Sequence, residues 1–146
     1  QSAIGRIQLQ RLPYWTAVRT RNALLLSDAL ANCSAVRVPL PPDSITHAWY
    51  KFYAYIKPDA LAGGWSRDRI LSEIASLGYP ALSGSCSEIY LEKCFQKAGL
   101  VPAERLPMAR QLGETSLMFL VHPTITTEQM AGYCEAVHSV VKKACR

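Results

Sequence analysis

The sequence predicts an α+β two-layer sandwich, in which helices pack on a small, mainly antiparallel sheet of three strands, and the first helix is long. Two observations carry this prediction. The stretch 46–56 (THAWYKFYAYI) is rich in aromatic and β-branched residues, which favour a packed strand. Most of the remaining chain shows the 3.6-residue apolar spacing of amphipathic helices, and such helices need a sheet on which to bury that face.

Residues 3–33 are predicted to form the long N-terminal helix. Pro13 marks either a kink or a new first turn within it. The helical apolar stripe consists of Trp15, Val18, Asn22, Leu25, Leu26, Ala29 and Leu30. A short strand at 35–38 follows, and we place it at a sheet edge because Pro39 ends it.

The stretch 46–56 is predicted to be an inner strand. Its period-two alternation places Tyr50, Phe52 and Ile56 on one face, and His47 and Trp49 on the other. Both faces are apolar enough to be covered. We therefore expect a neighbouring strand on each side.

Cap residues predict the helices that follow. Ser66 begins one that Gly78 ends, and 79–84 is a loop or a short extended segment. Ser85 and Glu88 fit a capping box for the next helix. That helix spans about 85–98, and a further one about 102–112.

The last part of the chain predicts a buried strand and a closing helix. Residues 116–121 (SLMFLV) form a short apolar run that His122-Pro123 breaks. Thr126 and Gln129 fit a second capping box, which opens a helix with a clean apolar face.

Composition limits the classes of partner. The chain of 146 residues is 49% hydrophobic and 18% charged, and this length fits one domain over 1–146. Its net charge of +5 is spread over many helices, so we expect no nucleic-acid partner. No apolar run approaches the length that spans a bilayer, and we expect no membrane partner.

The cysteines and the first residues point to the setting of the chain. Five cysteines without a C-x-x-C pair indicate a reducing compartment, and we expect the cytoplasm. Neither they nor the three histidines show ligand spacing, so no metal site is predicted. Because Gln1–Ile4 include no initiator Met and no leader pattern, we expect a piece of a longer chain.

Few residues indicate chemistry on their own. Ser83–Ser87 precedes a predicted helix, where it would either bind an anion or only cap the helix, and capping is the favoured interpretation. Cys86 at that helix start is a candidate nucleophile without a visible His and carboxylate partner. Lys51 among aromatic residues is a candidate Schiff-base lysine, although a surface position is favoured.

Two histidines lie at predicted strand ends. His47 opens the central strand and His122 follows the last one, so the two would line one cleft if those strand ends meet. An ordinary exposed position for each histidine is an equally good interpretation. From the residues alone, no reaction follows.

The chain as a whole resembles a known family. Ser2–Leu12 resembles an A-A-I-G-x-x-Q-L-x-x-L run, and Arg19, Asn22 and Ala23 an R-x-x-N-A helix. Three further segments match in order and spacing: His47–Phe52 an H-x-Y-H-L-F strand, Arg67-Asp68 an R-D helix start, and Leu120–Pro123 an L-P-x-H-P segment. These patterns are similar to the C-terminal small domain of DegT/DnrJ/StrS-type nucleotide-sugar aminotransferases, pyridoxal-phosphate enzymes of fold type I.

The resemblance implies a function that this chain does not perform alone. It implies that a Schiff-base lysine and most of the pyridoxal-phosphate site belong to a large domain upstream of Gln1, so the isolated chain is expected to be inactive. It also implies a homodimer, an amino-acid donor and a nucleotide-sugar substrate. The residues expected to face substrate are His47, Tyr50, Tyr79, Ser83, Ser85 and His122.

Two other functions stay open from the sequence. A pyridoxal-phosphate-dependent sugar dehydratase on the same scaffold would differ at the upstream lysine. A non-catalytic binding or interaction module would be a self-contained protein of this length.

Overall fold

A four-stranded antiparallel sheet organises the computed structural model, which describes all residues from Gln1 to Arg146. The strands are β1 (Val36–Arg37), β2 (Phe52–Ile56), β3 (Ala81–Leu82) and β4 (Ser116–Phe119), in the spatial order β1-β2-β4-β3. The helices are α1 (Ser2–Leu30), α2 (Arg67–Ser76), α3 (Lys93–Lys97), α4 (Pro107–Thr115) and α5 (Thr127–Ala144). Short 3-10 turns lie at Pro58–Ala60 and Ile89–Leu91. The predicted α+β class with a long first helix is confirmed.

The hydrophobic core lies between one face of the sheet and three helices. Phe52, Ala54 and Ile56 of β2 point into it, and Leu117 and Phe119 of β4 pack beside them. Apolar side chains of α1, α2 and α5 cover this face: Ala23, Leu26, Leu30, Ile70, Ile74, Met130, Tyr133, Val137, Val140, Val141 and Ala144. Burial of so many apolar groups is the main favourable term in folding.

The opposite face of the sheet is partly covered as well. All four residues of β4 are buried, including Ser116 and Met118, which alternate with the core-facing pair. Helix α4 packs against β2 on this side. The segment 83–115 therefore adds a partial third layer to the predicted two.

Local capping signals are confirmed where the partner is a few residues away. Arg69 N donates to Ser66 Oγ at 3.1 Å to begin α2, and Gly78 follows that helix with φ +86°. At α5 the capping box is complete, because Gln129 N donates to Thr126 Oγ1 and Thr126 N donates to Gln129 Oε1. Pro13 lies inside α1 without ending it.

The central strand begins six residues later than predicted. Trp49 adopts a left-handed conformation with φ +47°, which is incompatible with a β-strand. Strand pairing therefore begins only at Phe52. The prediction that Tyr50 shares the core face is wrong, since 75% of its surface is exposed. The inner position of β2 is confirmed by its pairing with β1 and β4.

Three more segments differ from their predictions. Ala81–Leu82, within the predicted loop or extended segment, pairs with β4 and supplies a fourth strand. The predicted helix over 85–98 is wrong: only the 3-10 turn and the five-residue α3 form there. The helix predicted over 102–112 is shifted, because Pro107 takes the first helical position of α4.

Glu88 explains the lost helix. Its buried carboxylate accepts from Arg105 Nε at 2.9 Å and from Arg105 Nη2, and Tyr90 Oη donates to it as well. These bonds, first from Arg105 and then from Tyr90, lower the pKa of Glu88 to about 2. The carboxylate therefore closes the base of the 88–105 segment and does not cap a helix at Ser85.

Glu88 should make the stability of the fold depend on pH in the acid range. Because its pKa is about 2 when folded against an ordinary value of 4.5, its contribution to stability is complete above pH 4.5 and is lost as the pH falls towards 2. We expect Glu88→Gln to lower the melting temperature at neutral pH and to flatten this acid limb. Glu104→Gln is the control, since Glu104 is exposed and in no ion pair. An acid limb unchanged in Glu88→Gln would contradict this role.

Candidate active site

One end of the sheet collects four of the six predicted site residues. Phe119 pairs with Phe52 on one side and with Ala81 on the other, and both pairings are antiparallel. The segments before β2 and before β3 therefore meet the segment after β4 at the same end of the sheet. His47 and Tyr50, Tyr79, and His122 lie on these three segments.

A cavity of about 380 Å³ opens beside this end of the sheet. It lies between the segments flanking β3 and β4 and the first half of α5, and such a volume suits a small-molecule ligand. Its lining consists of Gly78, Tyr79, Pro80, Leu120, His122, Thr124, Ile125, Gln129 and Tyr133. Two of the predicted residues, Tyr79 and His122, are thus part of one cavity.

Stacking and hydrogen bonds hold the aromatic wall of the cavity. Tyr79 and Tyr133 stack with ring centroids 5.4 Å apart and an interplanar angle of 8°. Tyr133 Oη donates to the Pro80 carbonyl and accepts from Leu120 N at 3.4 Å. Burial raises the pKa of Tyr133 well above its usual value, so this hydroxyl stays protonated. It links the residue before β3 to the residue after β4.

One ring nitrogen of His122 is hydrogen-bonded within the chain, and the other is not. Its Nδ1 lies 2.7 Å from Thr124 Oγ1, and this hydrogen bond orients the imidazole. Nε2 makes no hydrogen bond within the chain and is available to a ligand. His122 can therefore hold or exchange a proton with a polar group in the cavity.

The loop before β2 is held in an unusual conformation. Trp49 is only 7% exposed and stacks on Phe52 with centroids 5.9 Å apart. The backbone N–H of Trp49 donates to His47 Nδ1 at 3.1 Å. A neutral His47 ring therefore carries its proton on Nε2. The left-handed backbone at Trp49 then turns Tyr50 outward. Backbone strain of this kind persists only where surrounding contacts impose it.

Helix α1 fixes both sides of the site. Arg19 Nη1 donates to the carbonyls of Trp49 and Tyr50 at 3.3 and 3.0 Å. One turn later, the fully buried Asn22 donates from Nδ2 towards the carbonyls of Val121 and His122, each at 3.5 Å. Two side chains on one helix face thus position the loop before β2 and the loop after β4.

Ser83 and Ser85 lie elsewhere. The Ser83 carbonyl accepts from Ser116 Oγ at the start of β4, and Ser85 Oγ lies 3.2 Å from Tyr53 Oη. Between them Gly84, with φ +96°, passes so close to the Tyr53 ring that a Cβ would lie 2.7 Å from Tyr53 Cε1. This pair therefore lies on the other face of the sheet from the core, apart from the Tyr79–His122 cavity.

The two candidate reactive residues, Cys86 and Lys51, do not lie in a catalytic arrangement within the chain. Cys86 is exposed and its Sγ lies 3.5 Å from Glu92 Oε1, with no imidazole beside it and no helix beginning there. Lys51 lies at the rim, with Nζ 5.5 Å from the Tyr50 ring centroid. The His, Cys, Asp and Glu side chains nowhere converge in a group of three.

A comparison with protein families decides which kind of domain this is. The model of the DegT/DnrJ/EryC1/StrS aminotransferase family matches residues 1–138. The chain belongs to this family. The five segments that resemble it in sequence occur in α1, before and in β2, at the start of α2 and after β4, and they include two residues of the cavity lining, Leu120 and His122.

Several solved structures share this fold. An aminotransferase from Psychrobacter cryohalolentis is 50% identical, with a TM-score of 0.92 over 97% of this chain and 38% of its own. DesV from S. venezuelae, solved with a ketimine intermediate, is 22% identical, with a TM-score of 0.83 over 97% of this chain and 36% of its own. PseC from Helicobacter pylori, an aminotransferase in pseudoaminic acid biosynthesis, is 17% identical, with a TM-score of 0.81 and the same coverage.

The chain thus spans little more than a third of the length of these relatives. Neither a lysine nor a carboxylate lines the Tyr79–His122 cavity. None of the helices combines the length and the apolar character that crossing a bilayer requires.

Sequence reasoning missed Arg19 and Asn22 as site residues. The apolar spacing of the sequence groups Asn22 with the buried stripe of α1 and gives Arg19 no role. The available signal was the R-x-x-N-A resemblance, since an Arg and an Asn three residues apart share a helix face. The backbone carbonyls that Arg19 and Asn22 bind lie 30 or more residues away in the sequence, so a local pattern does not reveal these contacts.

Proposed function

We propose that the chain is the C-terminal small domain of a pyridoxal-phosphate-dependent aminotransferase that transfers an amino group from an amino acid to a nucleotide-linked keto-sugar. The observation that carries this proposal is the 50% identical aminotransferase, which matches 97% of the chain at a TM-score of 0.92. The ketimine intermediate in DesV supports the cofactor, and the role of PseC in pseudoaminic acid biosynthesis supports the substrate class.

The first half of α1 supports the place of the chain in a larger protein. Residues 2–14 of this helix are all exposed, and they include large apolar side chains: Ile4, Ile7, Leu9, Leu12 and Tyr14. A helical segment that carries this many large apolar side chains is normally covered. We assign it to the large, cofactor-binding domain, and we assign the Schiff-base lysine to that domain too.

Within the assembled enzyme the cavity end of the sheet is proposed to bind the sugar. Tyr79 and Tyr133 offer a stacked aromatic wall, and His122 Nε2 offers a hydrogen-bonding or proton-accepting atom beside it. His47 and Tyr50 form the rim on the other side of β4. Ser83 and Ser85 are proposed to meet substrate only if the large domain or a dimer partner reaches their face.

Two further assignments complete the proposal. We propose a homodimer, as the resemblance implies, and a cytoplasmic location. The location rests on five free cysteines, none of which pairs in a disulfide, as is usual in a reducing compartment.

The test is a product assay with the full-length protein. A nucleotide-linked keto-sugar and L-glutamate are supplied, and the product is analysed by mass spectrometry. We expect an amino group in place of the keto oxygen and 2-oxoglutarate in equal amount. Loss of a hydroxyl from the sugar, without amino transfer, would identify a dehydratase and contradict the proposal; no change in the sugar would favour a binding module.

A further inference from the structure

Two cysteines that are far apart in the sequence lie beside each other in the fold. Cys33 lies in the connection between α1 and β1, and Cys145 directly follows α5. Cys33 belongs to the hydrophobic core, and Cys145 packs against it. The two thiols interact: after burial, the neighbouring Cys145 thiol is the largest cause of the raised pKa of Cys33. We refer to Cys33 and Cys145 as the thiol pair.

Backbone pairing with the segment 56–61 brings both cysteines to one place. Val36 pairs with Ile56, the last residue of β2, so Cys33 lies just beyond that end of the sheet. Leu61 follows the first 3-10 turn and forms an antiparallel β-bridge with Cys145. The same short stretch of chain therefore contacts the backbone beside each member of the thiol pair.

The packing of α1 on α5 brings the pair together from the other side. Asn22 of α1 contacts the segment before α5, whereas His138 Nδ1, in the second half of α5, lies 2.7 Å from the Ala29 carbonyl. Later residues of α1 therefore lie beside later residues of α5, so the two helices are parallel and their C-terminal ends meet. Cys33 and Cys145 each follow one of these ends.

The two thiols differ in their access to solvent. Cys33 is only 6% exposed, whereas Cys145 is half-buried. Burial, and then the Cys145 thiol, raise the pKa of Cys33, and the charge of Lys142 opposes this shift. Because the thiolate is the form that attacks a disulfide, an oxidant in solution reaches Cys145 first.

We propose that Cys33 and Cys145 form a reversible disulfide when the protein meets a disulfide oxidant such as oxidised glutathione. The Cys145 thiolate attacks one sulfur of oxidised glutathione, forms a mixed disulfide and releases one glutathione thiolate. The Cys33 thiol then loses its proton to solvent, attacks the Cys145 sulfur and releases the second glutathione thiolate. Two protein thiols are oxidised, and one glutathione disulfide is reduced to two thiols, which take up the two protons.

The position of the thiol pair decides what the disulfide does. It closes most of the chain into one loop, and a crosslink restricts the unfolded chain more when its loop is long. The pair lies beyond Ile56, whereas the candidate active site lies at the other end of β2, where Phe52 pairs with Phe119. We therefore expect the disulfide to stabilise the fold without changing turnover.

Peptide mapping tests the crosslink directly. The full-length protein is equilibrated in glutathione buffers with an increasing oxidised fraction, quenched with acid, alkylated with N-ethylmaleimide and digested without reduction. We expect a peptide pair joined through Cys33 and Cys145 in the wild type and in Cys134→Ser, the matched control at another half-buried cysteine of α5. In Cys145→Ser we expect Cys33 to be recovered as an alkylated thiol. Separate glutathione adducts on the two cysteines, or free thiols in every buffer, would overturn the proposal.

Thermal melting of the same samples measures the effect of the crosslink. We expect oxidation to raise the melting temperature of the wild type and of Cys134→Ser by about 5 °C, and that of Cys145→Ser by less than about 1 °C. Turnover of the oxidised wild type should stay within about twofold of that of the reduced protein, because the pair is remote from the candidate active site. A melting temperature that oxidation leaves unchanged, or raises equally in Cys145→Ser, would contradict the proposal. The crosslink and the raised melting temperature in a protein without aminotransferase turnover would refute the proposed function alone.

Discussion

Replacing Phe119 by alanine is expected to lower the free energy of unfolding by about 3–5 kcal/mol, the range for removing a fully buried Phe side chain. Phe119 is fully buried and pairs with both Phe52 and Ala81, so it joins two neighbouring strands to β4. Its ring also lies 6.3 Å from that of Phe52 and 6.0 Å from that of Tyr133. A cavity at this point would weaken the sheet at the end that carries the candidate site.

Urea denaturation measures this loss, and Met108→Ala provides the control. Met108 is 65% exposed on α4, and its truncation should change the free energy of unfolding by less than about 0.5 kcal/mol. A loss below about 1 kcal/mol in Phe119→Ala would show that the sheet is not packed as described.

Replacing Asn22 by aspartate should be nearly as destabilising, at about 3 kcal/mol, because it places a charge in a buried position. The substitution keeps the shape of the side chain but exchanges the Nδ2 donor for an oxygen facing the carbonyls of Val121 and His122. Arg21, which already donates to Asn22 Oδ1 at 3.2 Å, would compensate only in part. The introduced carboxyl should therefore have a raised pKa, and the variant should regain stability as the pH falls.

Asn32→Asp makes the same chemical change at an exposed turn residue. Melting curves of the two variants over a range of pH separate the buried charge from the general effect of one more carboxylate. Equal stability of the two variants, at every pH, would contradict the role of Asn22 in holding the His122 segment.

Local sequence signals predicted those parts of the fold whose causes are local. Ser66 and Thr126 each bond a backbone N–H three residues ahead, so their helix starts could be found from the sequence. The long α1 and the inner position of β2 followed from apolar periodicity and composition, which depend on neighbouring residues.

Two of the wrong predictions depend on distant partners. Trp49 takes its left-handed conformation where Arg19, 30 residues earlier, binds its carbonyl. Glu88 bonds Arg105 and so does not cap a helix at Ser85. Both pairings depend on which segments the fold brings together, and propensity carries no information about that.

The candidate site shows the same division. The sequence named His47, Tyr50, Tyr79 and His122, and the strand register brings their segments to one end of the sheet. It also named Ser83 and Ser85, which the Gly84 turn carries to the other face against Tyr53. Whether any of these side chains contacts substrate remains a prediction for experiment.

The most direct test of the account is to locate the lysine that holds the cofactor. The full-length protein is treated with sodium borohydride, which fixes pyridoxal phosphate on its lysine, and the modified peptide is identified by mass spectrometry. We predict that the labelled lysine lies outside residues 1–146, since no lysine lines the Tyr79–His122 cavity. A label on Lys51, or on any other lysine of these residues, would contradict the assignment of the chain as the small domain that completes a site built elsewhere.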